Sequence, residues 1–183
     1  MRSAVIWVCL LLVGCAAMQE RQAPEAPIGE AFYVSARMSV KYGADSASGK
    51  ITWQHDAVSD ELLLMNPLGQ GVARIARSDA LVTLTTSEQK VYRAKDVETL
   101  TEQVLGWRLP FAGLPDWVRG RAVADVPSQS RLDGLQRLSE LRQSGWLIEY
   151  LEYKGESGRP ARLRLSRENV EIRLVVDEWG AAR

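Results

Sequence analysis

From Phe32 onward the chain repeats one short pattern, in which apolar and polar residues alternate for a few positions until glycine, proline, serine or aspartate breaks the run. A period of two turns one face of each run to a core and the other to water, and such runs separated by turns at roughly 8- to 12-residue spacing assemble as an antiparallel sheet or barrel. Phe32 to Tyr42 sets Ala36, Met38, Val40 and Tyr42 against Arg37, Ser39 and Lys41. Gly43 to Gly49 reads as a loop, and Lys50 to Gln54 alternates again with Ile51 and Trp53 inward. Ala80 to Thr86, Val91 to Arg93, Trp146 to Tyr153, Ala161 to Leu165 and Asn169 to Val176 continue the series, the last with Val170, Ile172, Leu174 and Val176 on one face. The chain is therefore expected to be mainly β.

Glu61 to Ile75 breaks the usual rule for turns. Two apolar runs, Leu62 to Met65 and Val72 to Ile75, flank Asn66-Pro67-Leu68-Gly69, whose Asn, Pro and Gly supply the fixed and permissive dihedrals of a tight reversal. Leu68 is out of place there, because turn residues are normally solvated. Either it faces something apolar outside the domain, or it tucks beneath its own loop, and the residues leave both placements open.

The pattern changes at Asp96, which can cap a helix burying Val97, Leu100, Val104 and Leu105 and ending at Gly106. Trp107 to Gly120 then gathers Trp107, Leu109, Phe111, Leu114 and Trp117 around Pro110 and Pro115, with Pro115 placed for the first turn of a second short helix. Together these segments read as a lid over the sheet's apolar face. Asp125 to Ser130 reads as a polar loop. In Arg131 to Gln143 the leucines at 132, 135, 138 and 141 fall every third residue, which predicts a helix.

At the start, Met1-Arg2 precedes ten apolar residues from Ala4 to Val13. Ten residues rise only ~15 Å as helix, about half a bilayer's hydrocarbon core, so the run predicts an export signal rather than a span. Its ending, Leu12-Val13-Gly14-Cys15, resembles the bacterial lipobox, whose cysteine is acylated and becomes the first residue of the mature chain. The expected organisation is a signal peptide over 1–14, a lipidated N-terminus and tether over 15–30, and one folded domain over 31–183. Cys9 would leave with the signal, so no disulfide is expected. By resemblance to Gram-negative lipoproteins, Ala16 after the cysteine points to the outer membrane.

Leu64-Met65-Asn66-Pro67-Leu68-Gly69-Gln70, Leu105 to Pro110, Trp117-Val118-Arg119-Gly120 and the ending Val176-Asp177-Glu178-Trp179 resemble, in order and spacing, the LolB family of outer-membrane lipoprotein receptors. The resemblance implies an incomplete antiparallel β-barrel closed by short helices over an apolar cavity, a fold shared with the periplasmic carrier LolA. It also implies a strand over Gln136 to Gln143, against the helical period. The implied activity is to accept acylated lipoproteins from LolA and place them in the inner leaflet of the outer membrane. The turn leucine, here Leu68 between Pro67 and Gly69, would promote insertion into membrane lipid. Candidate walls for the acyl chains are Met38, Val40, Ile51, Trp53, Leu62, Leu64, Ile75, Val82, Leu84, Ile148, Ile172 and Leu174, although any one could equally be plain core.

Other functions find little support. Lys plus Arg equal Asp plus Glu, so no net basic field draws nucleic acid to the chain. His55 is the single histidine, which excludes a histidine metal cluster, and no cofactor beyond a lipid on Cys15 is expected. Ser87-Glu88-Gln89-Lys90 fits Ser-x-x-Lys, yet it lies in a polar turn, and the carboxylate pairs Asp60-Glu61 and Asp177-Glu178 read as solvated strand ends. No enzyme is expected, and a monomer is. The rival reading is a lipid-anchored scaffold or accessory subunit of an outer-membrane assembly, with a filled core and no lipid cargo.

Overall fold

The computed structural model describes residues 30–78, 81–155 and 158–182. The expected signal peptide, Cys15 and the tether as far as residue 29 lie outside the described residues.

The chain forms β1 (Phe32–Tyr42), β2 (Asp45–His55), β3 (Ser59–Met65), β4 (Gly71–Ser78), β5 (Leu81–Thr86) and β6 (Val91–Ala94). Two helices follow, α1 (Val97–Leu105) and α2 (Leu114–Val118), and then β7 (Ser128–Leu132), β8 (Leu138–Gln143), β9 (Trp146–Lys154), β10 (Arg159–Arg167) and β11 (Val170–Gly180). All eleven strands belong to one sheet in the order β6-β5-β4-β3-β2-β1-β11-β10-β9-β8-β7, so the barrel is left open between β6 and β7. Neighbours run antiparallel, and the first strand is pinned at mid-sheet between β2 and β11. This pairing sends the turns at 43–44, 66–70, 87–90, 144–145 and 168–169 to one end of the sheet. The turns at 56–58 and 133–137 lie at the other, with Glu30 and the end of β11.

The alternating sequence explains the single core. Val34, Ala36 and Val40 of β1, Ile51 and Trp53 of β2, Leu62 and Leu64 of β3 and Ile172, Leu174 and Val176 of β11 all turn inward. The helices enter from the open side. Asp96 caps α1 by accepting a hydrogen bond from the Thr99 N–H at 2.7 Å, and Gly106 ends it with a positive φ, as its sequence predicts.

Three expectations change. The helix that the leucine spacing predicts over 131–143 is a hairpin, β7 to β8, in which β8 is the strand that the resemblance implies within Gln136 to Gln143; turn chemistry overrides the spacing of the leucines. Asp133 accepts the Leu135 and Arg137 N–H groups at 2.8 and 3.0 Å, and Leu132 and Leu135 are exposed while Leu141 is buried. The polar loop expected over Asp125 to Ser130 gives way to β7 from Ser128. The loop expected over Gly43 to Gly49 shrinks to a two-residue turn, since β2 already begins at Asp45.

Gly49 lies where β2 meets the base of the 66–70 turn, and a Cβ there would sit 2.0 Å from the Met65 carbonyl oxygen. Backbone cannot yield as a flexible side chain does, so Gly49→Ala should cost about 1–3 kcal/mol, read as a lower urea midpoint at unchanged slope.

Candidate functional site

The reversal between β3 and β4 holds itself rigid. Asn66 Oδ1 accepts the N–H groups of Leu68 and Gln70 at 2.9 and 3.0 Å, and Asn66 Nδ2 donates to Gln70 Oε1 at 2.8 Å. The Gly69 N–H donates to the Asn66 carbonyl at 2.9 Å, with Gly69 in the left-handed region at φ 83°. The loop's polar groups thus satisfy one another, and Pro67 fixes the remaining dihedral. Leu68 does not tuck under the loop: it is 85% exposed.

Beside this loop, β1 to β5 and β8 to β11 enclose an apolar interior with α1 and α2 as its cover. Val40, Ile51, Trp53, Leu62, Leu64, Ile75, Val82, Leu84, Ile148, Ile172 and Leu174 are buried in one cluster, with Met38 partly buried against it. Val97, Leu100, Trp107, Leu109, Phe111, Leu114 and Trp117 of the cover belong to the same cluster, and Val104 packs at its edge. The structure therefore brings the expected wall and lid residues together, with the lid occupying the space the walls surround. The apolar space left at this end is about 160 Å³, between Met38, Val40, Tyr42, Leu64, Leu105 and Trp107. Drug-sized ligands occupy pockets of roughly 300–1,000 Å³, so a long acyl chain needs the cover displaced. Met65 and Asn66 also border this space, which places its mouth at the base of the Leu68 loop. The sequence reading placed Tyr42 on the apolar face of its strand without counting it a wall residue, and it missed Met65, which lies at a strand end whose neighbours only the fold supplies.

Specific polar bonds fasten the cover. Buried Gln143, on β8, accepts from the Trp117 indole and the Val123 N–H at 2.9 Å each and donates to the Val123 and Val126 carbonyls at 3.0 Å. The Tyr150 hydroxyl donates to the Trp117 carbonyl at 3.0 Å, and burial pushes this phenol far above the usual tyrosine range, so it stays a donor. Arg119, after α2, donates to the Pro115 carbonyl at 2.8 Å and to the Glu30 carbonyl at 3.1 Å, tying the cover to the start of β1. These partners come from distant segments and carry no local sequence signal. Gln143→Leu strands the buried Trp117 indole N–H and the half-buried Val123 N–H, so a loss of about 2–4 kcal/mol is expected. Amide exchange should rise over 117–126 before the rest of the sheet opens, which native-state exchange can read.

One carboxylate differs from its reading as a solvated strand end. Asp60 is 3% exposed within β3. Its Oδ1 accepts from the Trp53 indole at 2.8 Å and pairs with His55 Nδ1 at 2.7 Å, and its Oδ2 accepts from Arg77 Nε at 2.5 Å. Three strands converge there, because the β2–β3 and β3–β4 registers set His55 and Arg77 opposite Asp60. Trp53 in turn meets the lid's Phe111, with ring centroids 5.5 Å apart. Asp177 does lie exposed, on β11, paired with Arg37. The Ser87-x-x-Lys90 pattern lies in the β5–β6 turn, where Lys90 pairs with Glu88 at 2.7 Å. Among the described residues no group of three or more His, Cys, Asp or Glu is placed to hold a metal, and no helix is long and apolar enough to cross a membrane.

Comparison with known proteins gives the following likenesses. The model of the family described as "Outer membrane lipoprotein LolB" matches residues 30–179. An "Outer-membrane lipoprotein LolB" of Nitrosomonas europaea is 40% identical, over 97% of this chain and 92% of its own length. One from Thiobacillus denitrificans is 42% identical over 93% and 92%. A LolA superfamily protein from Nitrosomonas europaea superposes with a TM-score of 0.54 at 14% identity, covering 86% of this chain and 88% of its own. A DUF1329 family protein from Desulfovibrio piger does so with a TM-score of 0.55 at 10% identity, covering 83% and 85%. These two structural likenesses speak to the fold alone.

Proposed function

The chain belongs to the outer-membrane lipoprotein LolB family, and from that premise we propose how its parts divide the work of a lipoprotein receptor. It is an outer-membrane protein of the Lol lipoprotein-sorting pathway, and family membership disfavours the scaffold reading. We read it as a transport protein without catalytic chemistry.

In this reading LolA hands over an acylated lipoprotein, whose acyl chains displace the lid and lie against Met38, Val40, Leu64 and the other inward residues. Leu68 then enters the outer membrane beside the mouth and the cargo passes into lipid. Signal peptide 1–14 is removed, Cys15 carries the covalent lipid, and 15–30 is the tether. The observation that carries the proposal is the fully presented Leu68, held on a loop whose base borders an apolar opening into the core. Transfer without an energy source needs affinities rising from carrier to receptor to membrane. The interior is filled, as the scaffold reading also expects. For a receptor with a movable lid, the lid's own side chains compete with the cargo and favour the second step, its release to the membrane.

A soluble mature chain with Cys15→Ser should still take lipoprotein from loaded LolA, because wall, lid and loop all lie beyond residue 31. Co-purification of cargo with this variant is the check. A variant unable to bind any cargo would show that the interior is not the receiving site.

A further inference from the structure

We infer that the outer face of the sheet beside the Leu68 loop is a groove for the headgroups of anionic membrane phospholipids, held through their phosphate. The inference rests on the receptor reading above and assigns the loop's lipid contact a second, polar half.

The groove measures about 420 Å³; Met38, Gly49, Pro67 and Val175 give it a largely apolar lining, and Arg37, Ser39, Ser48, Lys50 and Arg173 stand around it. Register explains the gathering. Arg37 of β1 lies opposite Lys50 of β2, Ser39 lies opposite both Ser48 and Arg173 of β11, and Lys50 lies opposite Met65 at the foot of the loop. Strand alternation turns the three cations outward, with Ser48 and Lys50 bordering the apolar opening as well as the groove. Pro67 forms one wall, so the groove is continuous with the loop that presents Leu68.

Its charge is balanced only in part from within. Like charges directly opposite one another destabilise a sheet, yet Arg37 faces Lys50. Arg37 holds Asp177 through Nε and Nη2 at 3.1 and 2.9 Å, and Arg173 pairs with Glu171 at 2.8 Å. A ligand of these two guanidiniums therefore competes with a carboxylate, and the Arg173 pair, exposed and single-pronged, is the weaker. Lys50 is exposed and has no ion-pair partner among the described residues. A phosphate group fits this arrangement. Lys50 supplies the unpaired point charge, Ser39 and Ser48 add hydroxyl donors, and Arg173 can exchange its exposed Glu171 partner for two N–H bonds to the phosphate. Depth agrees as well, because headgroup regions add only about 5–8 Å to each side of the hydrocarbon core. A leucine side chain in the acyl region thus leaves the flanking strand faces among the phosphates.

The test sediments the whole mature chain, kept soluble by Cys15→Ser, with vesicles of phosphatidylcholine alone or containing phosphatidylglycerol. The intact groove should favour the anionic vesicles on the order of tenfold, less as salt rises. The double variant Arg37→Glu/Arg173→Glu, at two groove residues that do not border the apolar opening, should lose that preference while still binding phosphatidylcholine and still accepting lipoprotein from the loaded carrier. Arg131→Glu, exposed on the distant edge strand β7, should keep it. No preference in the parent chain, a preference surviving the double change, or an equal loss in Arg131→Glu would each overturn the groove. Failure of the receptor reading appears separately, as no cargo acceptance by the parent chain.

Discussion

Leu68→Glu should accept lipoprotein as readily as the parent chain and deliver almost none of it to liposomes. The side chain is 85% exposed, and the loop is held by Asn66, Gln70 and Gly69 rather than by Leu68 itself. Folding stability should therefore move by no more than about 0.5 kcal/mol. Burying a leucine in an apolar phase is worth about 1.5–3 kcal/mol, and a glutamate both forfeits that gain and brings a charge to the interface. Since about 1.4 kcal/mol is a factor of ten in occupancy, delivery should fall at least tenfold. Leu68→Met should keep most of it. Transfer of labelled lipoprotein from the loaded receptor into liposomes reads this directly, and equal delivery by Leu68→Glu would remove the loop from the mechanism.

Asp60→Ala carries the largest expected cost to stability. The change leaves the Trp53 indole N–H, His55 Nδ1 and Arg77 Nε without their acceptor, at a position only 3% exposed. Removing one partner of a buried, hydrogen-bonded ion pair costs about 3–5 kcal/mol, a large share of the roughly 5–15 kcal/mol that holds a domain folded. Urea unfolding should show a midpoint lower by on the order of 1–3 M at unchanged slope. Because Trp53 also supports Phe111, the variant should bind an apolar dye at urea concentrations that leave the parent chain closed. Asp60→Asn retains one acceptor oxygen and should fall between the two.

The strands were legible because each has one wet face and one dry face, which writes a period of two into the chain. Leu68 was legible as an anomaly, since Pro67 and Gly69 leave a turn residue little room to fold back. What escaped depends on partners far away in sequence. The period of three at Leu132, Leu135, Leu138 and Leu141 suits a helix until Asp133 is seen to close a hairpin over Leu135 and Arg137. Asp60 looked like a solvated strand end because the groups that bury it come from β2 and β4. Gln143 looked like one more polar residue until Trp117 and Val123 met it. The phosphate groove joins β1, β2 and β11, and nothing in the chain announces that the first strand lies beside the last.

The central claim is that acyl chains enter the space the lid now fills. The most direct measurement loads the carrier with a lipoprotein bearing a photo-activatable acyl chain, transfers it to this protein, irradiates, and maps the adducts. The account predicts cross-links to inward residues, Met38, Val40, Leu64 and Trp107 foremost, with amide exchange rising across α1 and α2 in the loaded state. Cross-links confined to the outer face, or a loaded protein whose lid exchanges as slowly as the free one, would contradict it.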